Sequence, residues 1–98
     1  MFEIRLGEQG EIIMTGRLDA AQCDKALLFM DGIPAPRVVD LAGLDYVSSA
    51  GLGVLLKTQK RVMASGQGLR LVNANKHIRD IFKYAGFDRI FEIVPAGS

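Results

Sequence analysis

From residue 11 onward the chain alternates between two kinds of segment. Short runs rich in β-branched residues, "EIIMT", "RVVDL", "LRLV" and "IFEIV", are separated by longer stretches whose apolar residues recur at helical spacing. A hydrophobic period that switches repeatedly between strand and helix fits parallel neighbouring strands joined by crossover helices. Ahead of these, "FEIRL" alternates apolar and polar residues and places Phe2, Ile4 and Leu6 on one side of a half-exposed strand. "GEQG" is a tight turn, so the first two strands are antiparallel and the sheet is mixed.

The helical stretches carry their own start and stop signals. Asp19 is a candidate N-cap for a stripe of Ala20, Cys23, Leu27 and Met30 that closes at Gly32. Two prolines make "IPAPR" a loop, and "AGLDY" is expected to connect the strand "RVVDL" to the next helix. That helix has a stripe of Leu52, Leu55, Leu56 and Met63 and ends near Ser65 and Gly66. Asn73 or Asn75 caps a third helix, with Ile78, Ile81, Phe82 and Ala85 inward and Gly86 as its stop. "PAGS" reads as a tail. If consecutive strands are neighbours, right-handed crossovers put all three helices on one face. The expected fold is one α/β domain over residues 1–98, a mixed sheet in the order β-β-α-β-α-β-α-β with helices mainly on one face.

Size and charge narrow the function. The 98 residues fit one domain, and 49% apolar composition is enough for a core. A net charge of +1 does not point to nucleic acid or an anionic membrane surface. Bases cluster from Lys57 to Lys83, where Asp80 is the one acid. That stretch is either a solvated face or a docking surface for an acidic partner. Cys23 is the lone cysteine, which rules out an internal disulfide and fits a reducing compartment. The first residues lack a signal-peptide pattern, and no apolar run approaches the ~20 residues that span a bilayer. A cytoplasmic protein with no membrane partner is the expectation.

One segment breaks the local rules. "YVSSAGLGVLL" starts a helix with two serines and two glycines, and each glycine costs about 1 kcal/mol relative to alanine. The segment follows a strand, at the edge where parallel α/β sheets commonly carry their function. Ser48 is placed to cap, leaving Ser49 as the first helical residue among free amides at the positive end of the helix dipole. Three roles compete for the serine pair: helix capping alone, a nucleophile, and a modification site. A nucleophile needs a base within reach, and the one histidine, His77, lies on another helix among polar neighbours. "SAG" is also not a G-x-S-x-G elbow. A phosphate is tolerated at a helix N-terminus without unfolding its host. The bareness of Gly51 and Gly53 then suits the close approach of another backbone, with tight packing on the chain's own sheet as the alternative for Gly53.

"LDYVSSAGLGVLL", preceded by "VVDL" and "GRLD", resembles the STAS domain of bacterial anti-sigma factor antagonists over nearly the whole chain. The resemblance implies partner switching. An unphosphorylated antagonist binds an anti-sigma factor that is also a serine/threonine kinase. Phosphorylation at the start of this helix releases it, and a PP2C-type phosphatase resets it. ATP belongs to the kinase, so the resemblance implies a substrate with no cofactor of its own, and not an enzyme; no second His or Cys cluster supports a metal at His77. Aligning Gly51-Leu52-Gly53 puts the family's acidic position on Ser48, its next serine on Ser49 and its third on Ala50, which cannot take phosphate. Ser49 is therefore the first candidate for phosphorylation and Ser48 the second. Asp19, Ser48, Ser49, Ala50, Gly51, Leu52 and Gly53 form the implied partner-binding surface. Asp40 is a further candidate to shape that edge, unless it only satisfies loop amides. Cys23 is expected in the core, and His77 on a solvated helix face. A monomer or weak dimer is expected. STAS domains also serve as scaffolds or regulatory subunits, for example of a phospholipid-transport ATPase, and that is the alternative. A nucleic-acid role lacks a reader motif.

Overall fold

The computed structural model describes residues 1–95. Five strands, β1 (Phe2–Leu6), β2 (Ile12–Leu18), β3 (Val38–Val47), β4 (Arg70–Ala74) and β5 (Glu92–Pro95), lie side by side in chain order. β1 and β2 are antiparallel, and the remaining pairs are parallel. The parallel steps are bridged by α1 (Cys23–Asp31), α2 (Ser49–Met63) and α3 (Lys76–Tyr84). One-turn 3-10 helices precede α1 (Ala20–Gln22) and follow α3 (Phe87–Arg89). Crossovers of one hand that all advance in the same direction gather the helices on one sheet face. Burial agrees. Ile12, Met14 and Leu18 of β2, Val39, Leu41, Leu44 and Val47 of β3, and Leu71 of β4 share one core with Ala26, Met30, Val54, Leu55, Val62, Ile78 and Phe82. Ile13, Thr15 and Arg17, on the other side of β2, are half-buried or exposed.

Several element boundaries differ from expectation. β2 continues through Gly16-Arg17-Leu18 instead of ending at Thr15. "AGLDY" is not a connection but the second half of β3. The cause is visible in the register: Ile13 pairs with Asp40 and Thr15 with Gly43, then Gly16 with Leu44 and Arg17 with Tyr46. At each step β3 holds one residue more than β2, so β3 carries two bulges that break the alternation which marks a strand. Asp40 Oδ1 accepts a hydrogen bond from the Ala42 N–H at 2.9 Å and holds the first bulge. Asp40 thus serves the backbone of mid-β3 rather than the serine-bearing edge.

The helix faces also shift. Ala20 belongs to the 3-10 turn and is exposed, and Ala26 takes its place beside Met30 in the core. α2 turns Gly51, Val54, Leu55, Thr58, Gln59 and Val62 inward. Met63 is 56% exposed, so it does not belong to the buried stripe. Asn75, not Asn73, caps α3: its Oδ1 accepts from the Ile78 N–H at 2.9 Å, while its Nδ2 donates to the Leu44 carbonyl at 3.3 Å. Phe91 is buried ahead of β5 instead of within it. Pro95 ends β5, and the rest of the expected tail, 96–98, lies outside the described residues.

Three of the seven bases in the basic stretch have partners within the chain. Arg61 reaches over the end of α1, donating to the Met30 carbonyl at 2.8 Å and the Ile33 carbonyl at 3.1 Å. Arg70 pairs with Glu92 and Lys76 with Asp80, each at 3.0 Å.

A buried glutamine ties the far end together. Gln59 is 3% exposed. Its Oε1 accepts from the Leu69 N–H at 2.8 Å, and its Nε2 donates to the Ile90 carbonyl at 2.7 Å. Gln59→Leu keeps the volume but strands both backbone groups. It is expected to cost about 1–3 kcal/mol, read as a lower urea midpoint at unchanged m-value.

Candidate functional site

β3 delivers Val47 to the carboxyl edge of the parallel strands, paired with Leu18 at the end of β2. Ser48 turns the chain directly into α2 with extended backbone (φ −83°, ψ 170°). Three hydrogen bonds fix it. Its N–H donates to the Leu18 carbonyl at 2.9 Å, and its carbonyl accepts from the Leu52 N–H at 2.9 Å. Its Oγ accepts from the Gly51 N–H at 3.1 Å, so the Ser48 hydroxyl is the N-cap. Ser49 is the first residue of α2 and is exposed, as is Ala50. The N–H groups of a helix's first residues have no intrahelical acceptor. Gly51 and Leu52 give theirs to Ser48, which leaves those of Ser49 and Ala50 facing solvent at the positive end of the dipole.

The two glycines have different jobs. A Cβ on Gly51 would stand 2.9 Å from the Leu18 carbonyl O, 2.9 Å from Leu18 Cγ and 2.9 Å from Val47 Cγ2. Gly51 is buried, and its missing side chain lets α2 settle onto the ends of β2 and β3. A Cβ on Gly53 would meet nothing within 4 Å. The close-packing role considered for Gly53 therefore falls to Gly51, and Gly53 leaves open ground on the helix. Leu52 beside it is half-buried against the core.

Asp19 occupies the N-cap position of the 3-10 turn, yet its side chain caps nothing. The tight turn already uses the nearest amide, because the Gln22 N–H donates to the Asp19 carbonyl at 3.1 Å. Asp19 Oδ1 is left buried without a hydrogen-bond partner among the described residues. Cys23 stands between Asp19 and the serine. Its Sγ donates to the Asp19 carbonyl at 3.2 Å. Burial pushes the Cys23 thiol up, a hydrogen bond with Ser48 opposes that, and the charges of Asp19 and Asp24 reinforce it. The thiol stays protonated and bonded to the Asp19 carbonyl. The "DAAQC" spacing, Asp19 four residues before Cys23, was the signal for this contact. The hydrophobic stripe hid it.

Asp19, Ser48, Ser49, Ala50, Leu52 and Gly53 thus gather at one edge with part of each accessible, while Gly51 faces inward. His77 is exposed on α3, and among the described residues no hydrogen bond joins it to Ser48 or Ser49. Among those residues there is also no cluster of histidine, cysteine and carboxylate side chains able to hold a metal ion. No helix among them is long and apolar enough to cross a membrane.

The family model described as "Mlab, STAS domain" matches residues 5–95. BtrV of Bordetella bronchiseptica, provisionally named an anti-sigma factor antagonist, is 41% identical over 56 residues, 57% of this chain and 48% of that protein. The match thus spans about half the length of that relative. A provisionally named anti-sigma factor antagonist from Thermotoga maritima has a similar fold, with TM-score 0.78 and 19% identity over 96% of this chain and 86% of that one. The anti-sigma factor antagonist SpoIIAA in its unphosphorylated form gives TM-score 0.66 at 16% identity, over 92% of this chain and 97% of that one. Bacillus SpoIIAA in its phosphorylated form gives 0.65 at 16% identity, over 95% and 90%. At these identities the solved structures speak to the fold alone: a mixed α/β domain with five strands and three helices.

The glycines can be told apart by stability. Gly51→Ala is expected to destabilise by about 1–3 kcal/mol through overpacking. Gly53→Ala, in open space on a helix, is expected to stabilise by about 0.5–1 kcal/mol. Urea unfolding of both variants checks the pair.

Proposed function

Because the chain belongs to the STAS domain family, we propose that it is an anti-sigma factor antagonist working by partner switching, with Ser49 as the switch. In this reading an anti-sigma factor serine/threonine kinase docks over the start of α2, phosphorylates Ser49 and is thereby released. A PP2C-type phosphatase restores the binding form. The observation that carries the reading is the division of labour between the serines. The Ser48 hydroxyl is engaged as the cap, whereas that of Ser49 is exposed beside free amides and the open ground at Gly53. SpoIIAA, which shares the fold, exists in phosphorylated and unphosphorylated forms, and this supports the same logic here.

The chemistry needs no catalytic group from this chain. The kinase moves the γ-phosphoryl of its ATP to Ser49 Oγ, and the hydroxyl proton leaves to a base on the kinase. The product carries about −1.5 to −2 added charges. In the free protein that charge is tolerated, because the outward amides of Ser49 and Ala50 and the helix dipole favour an anion there. Under a docked partner it must be stripped of water in a close interface. Weakening a nanomolar complex to micromolar needs only about 4 kcal/mol. One poorly accommodated dianion is enough.

A second reading is a STAS subunit that is never phosphorylated, such as a regulatory partner of a transport ATPase. Two departures from the family's pattern favour it: Ser48 stands at the acidic position and Ala50 at the third. Incubation with the cognate kinase and ATP, followed by mass spectrometry, separates the two. Phosphate on Ser49 is expected, and its absence from both serines favours the second reading.

Ser49→Ala is expected to unfold within about 0.5 kcal/mol of the parent, to bind the kinase and to take up no phosphate. Ser49→Asp should weaken binding with little change in Tm. Ser48→Ala should lose about 1 kcal/mol of stability, because it removes the cap, while Ser49 still accepts phosphate. Calorimetric melting and binding assays on the three variants check these outcomes.

A further inference from the structure

β1 is the outermost strand of the sheet, with β2 on its inner side. The Gly7 N–H donates to the Glu11 carbonyl, and the Arg17 N–H donates to the Met1 carbonyl. In an antiparallel ladder, residues two apart direct their backbone groups to the same neighbour. Odd-numbered residues of β1 therefore face β2, and Phe2, Ile4 and Leu6 turn their N–H and C=O groups outward. Among the described residues, one hydrogen bond reaches that outer edge: Lys25 Nζ donates to the Phe2 carbonyl at 3.4 Å.

The side chains along this edge are symmetric in character: apolar, acidic, apolar, basic, apolar, in the order Phe2, Glu3, Ile4, Arg5, Leu6. Glu3 and Arg5 are exposed and pair in register with Thr15 and Ile13, so they stand on the helix-free face. Neither forms a salt bridge among the described residues. Place a second copy antiparallel with Ile4 opposite Ile4. The outward backbone groups of Ile4 then bond to each other, and those of Leu6 bond to Phe2. Glu3 falls directly opposite Arg5, twice, at the non-hydrogen-bonded positions where cross-strand side chains are closest. On the helix side the second copy covers Leu6, which is 48% exposed, and half-buried Ile4.

We propose that β1 is a self-association edge, at which two copies join through a two-fold axis at Ile4 into one continuous sheet. Edge strands commonly carry charges that repel a second strand. Charges placed only to guard the edge have no need to alternate in sign about its centre. Here they are opposite at the two positions that a two-fold exchanges, so the same residues attract a second copy in one register. The symmetry makes a closed, isologous dimer and not a fibre. A strand of five residues covers far less than the ~1,200 Å² of a stable complex, so the dimer is weak, with Kd on the order of 100 µM. Lys25 swings aside or shares the Phe2 carbonyl, which has two lone pairs.

Sedimentation equilibrium of the full chain from about 10 µM to about 1 mM tests this. The parent should pass from monomer to dimer over that range. Glu3→Arg and Arg5→Glu, both at exposed positions, should each keep the fold by circular dichroism and raise Kd roughly tenfold. An equimolar mixture of the two should recover association, because the introduced arginine then meets the introduced glutamate while Arg5 meets Glu3. A parent that stays monomeric to about 1 mM overturns the proposal. So does a dimer indifferent to both substitutions, or a mixture that does not recover. A foreign strand as the true occupant of this edge would appear as the first of those results.

Discussion

The structure depends on how closely the first turn of α2 approaches the ends of β2 and β3. Gly51 lies against Leu18 and Val47 in space that no side chain could share. The Ser48 N–H is hydrogen-bonded to the Leu18 carbonyl, so the ladder between β2 and β3 ends where the helix begins. A longer loop would let the helix start drift. Here cap, glycine and strand end are locked together, and the orientation of the next residue follows from them. Ser49 is exposed at a start of α2 that Ser48 and Gly51 already fix.

The same contact explains what was legible in the sequence. The serine–glycine segment stood out because it broke helix propensity, and the fold order followed from alternating periods. The segment's internal assignment did not follow. Nothing in "SSAGLG" distinguishes the glycine that touches the sheet from the one that does not, because that depends on where α2 sits on Leu18 and Val47. β3 hid for a related reason. Its two bulges replace the period of two with Leu41, Leu44 and Val47 spaced by three, which reads as a break and not as a strand.

Buried polar side chains were the other blind spot. Thr58 and Gln59 lie inward on α2, although the apolar stripe pointed to Met63. Gln59 is buried because two backbone groups, the Leu69 N–H and the Ile90 carbonyl, lie beneath α2 without strand partners. Such demands arise where β4 begins and where α3 hands over to β5. They are set by tertiary placement, so no local pattern announces them. Arg61 is a parallel case: it counted as surface charge in the sequence, and its guanidinium closes the carbonyl end of α1.

The adjacency of the two serines has a consequence for any switch at this edge. A phosphate on the capping hydroxyl would load bulk and charge onto the oxygen that holds the Gly51 N–H, at the close contact on which the helix start depends. A phosphate one residue later leaves that contact alone and meets two amides that already face outward. The first would perturb the host, the second only what rests upon it. A switch of the proposed kind must survive its own modification in order to be reset. In the proposed switch, the rigid seating of Ser48 and Gly51 would let Ser49 be esterified and restored without disturbing the sheet beneath.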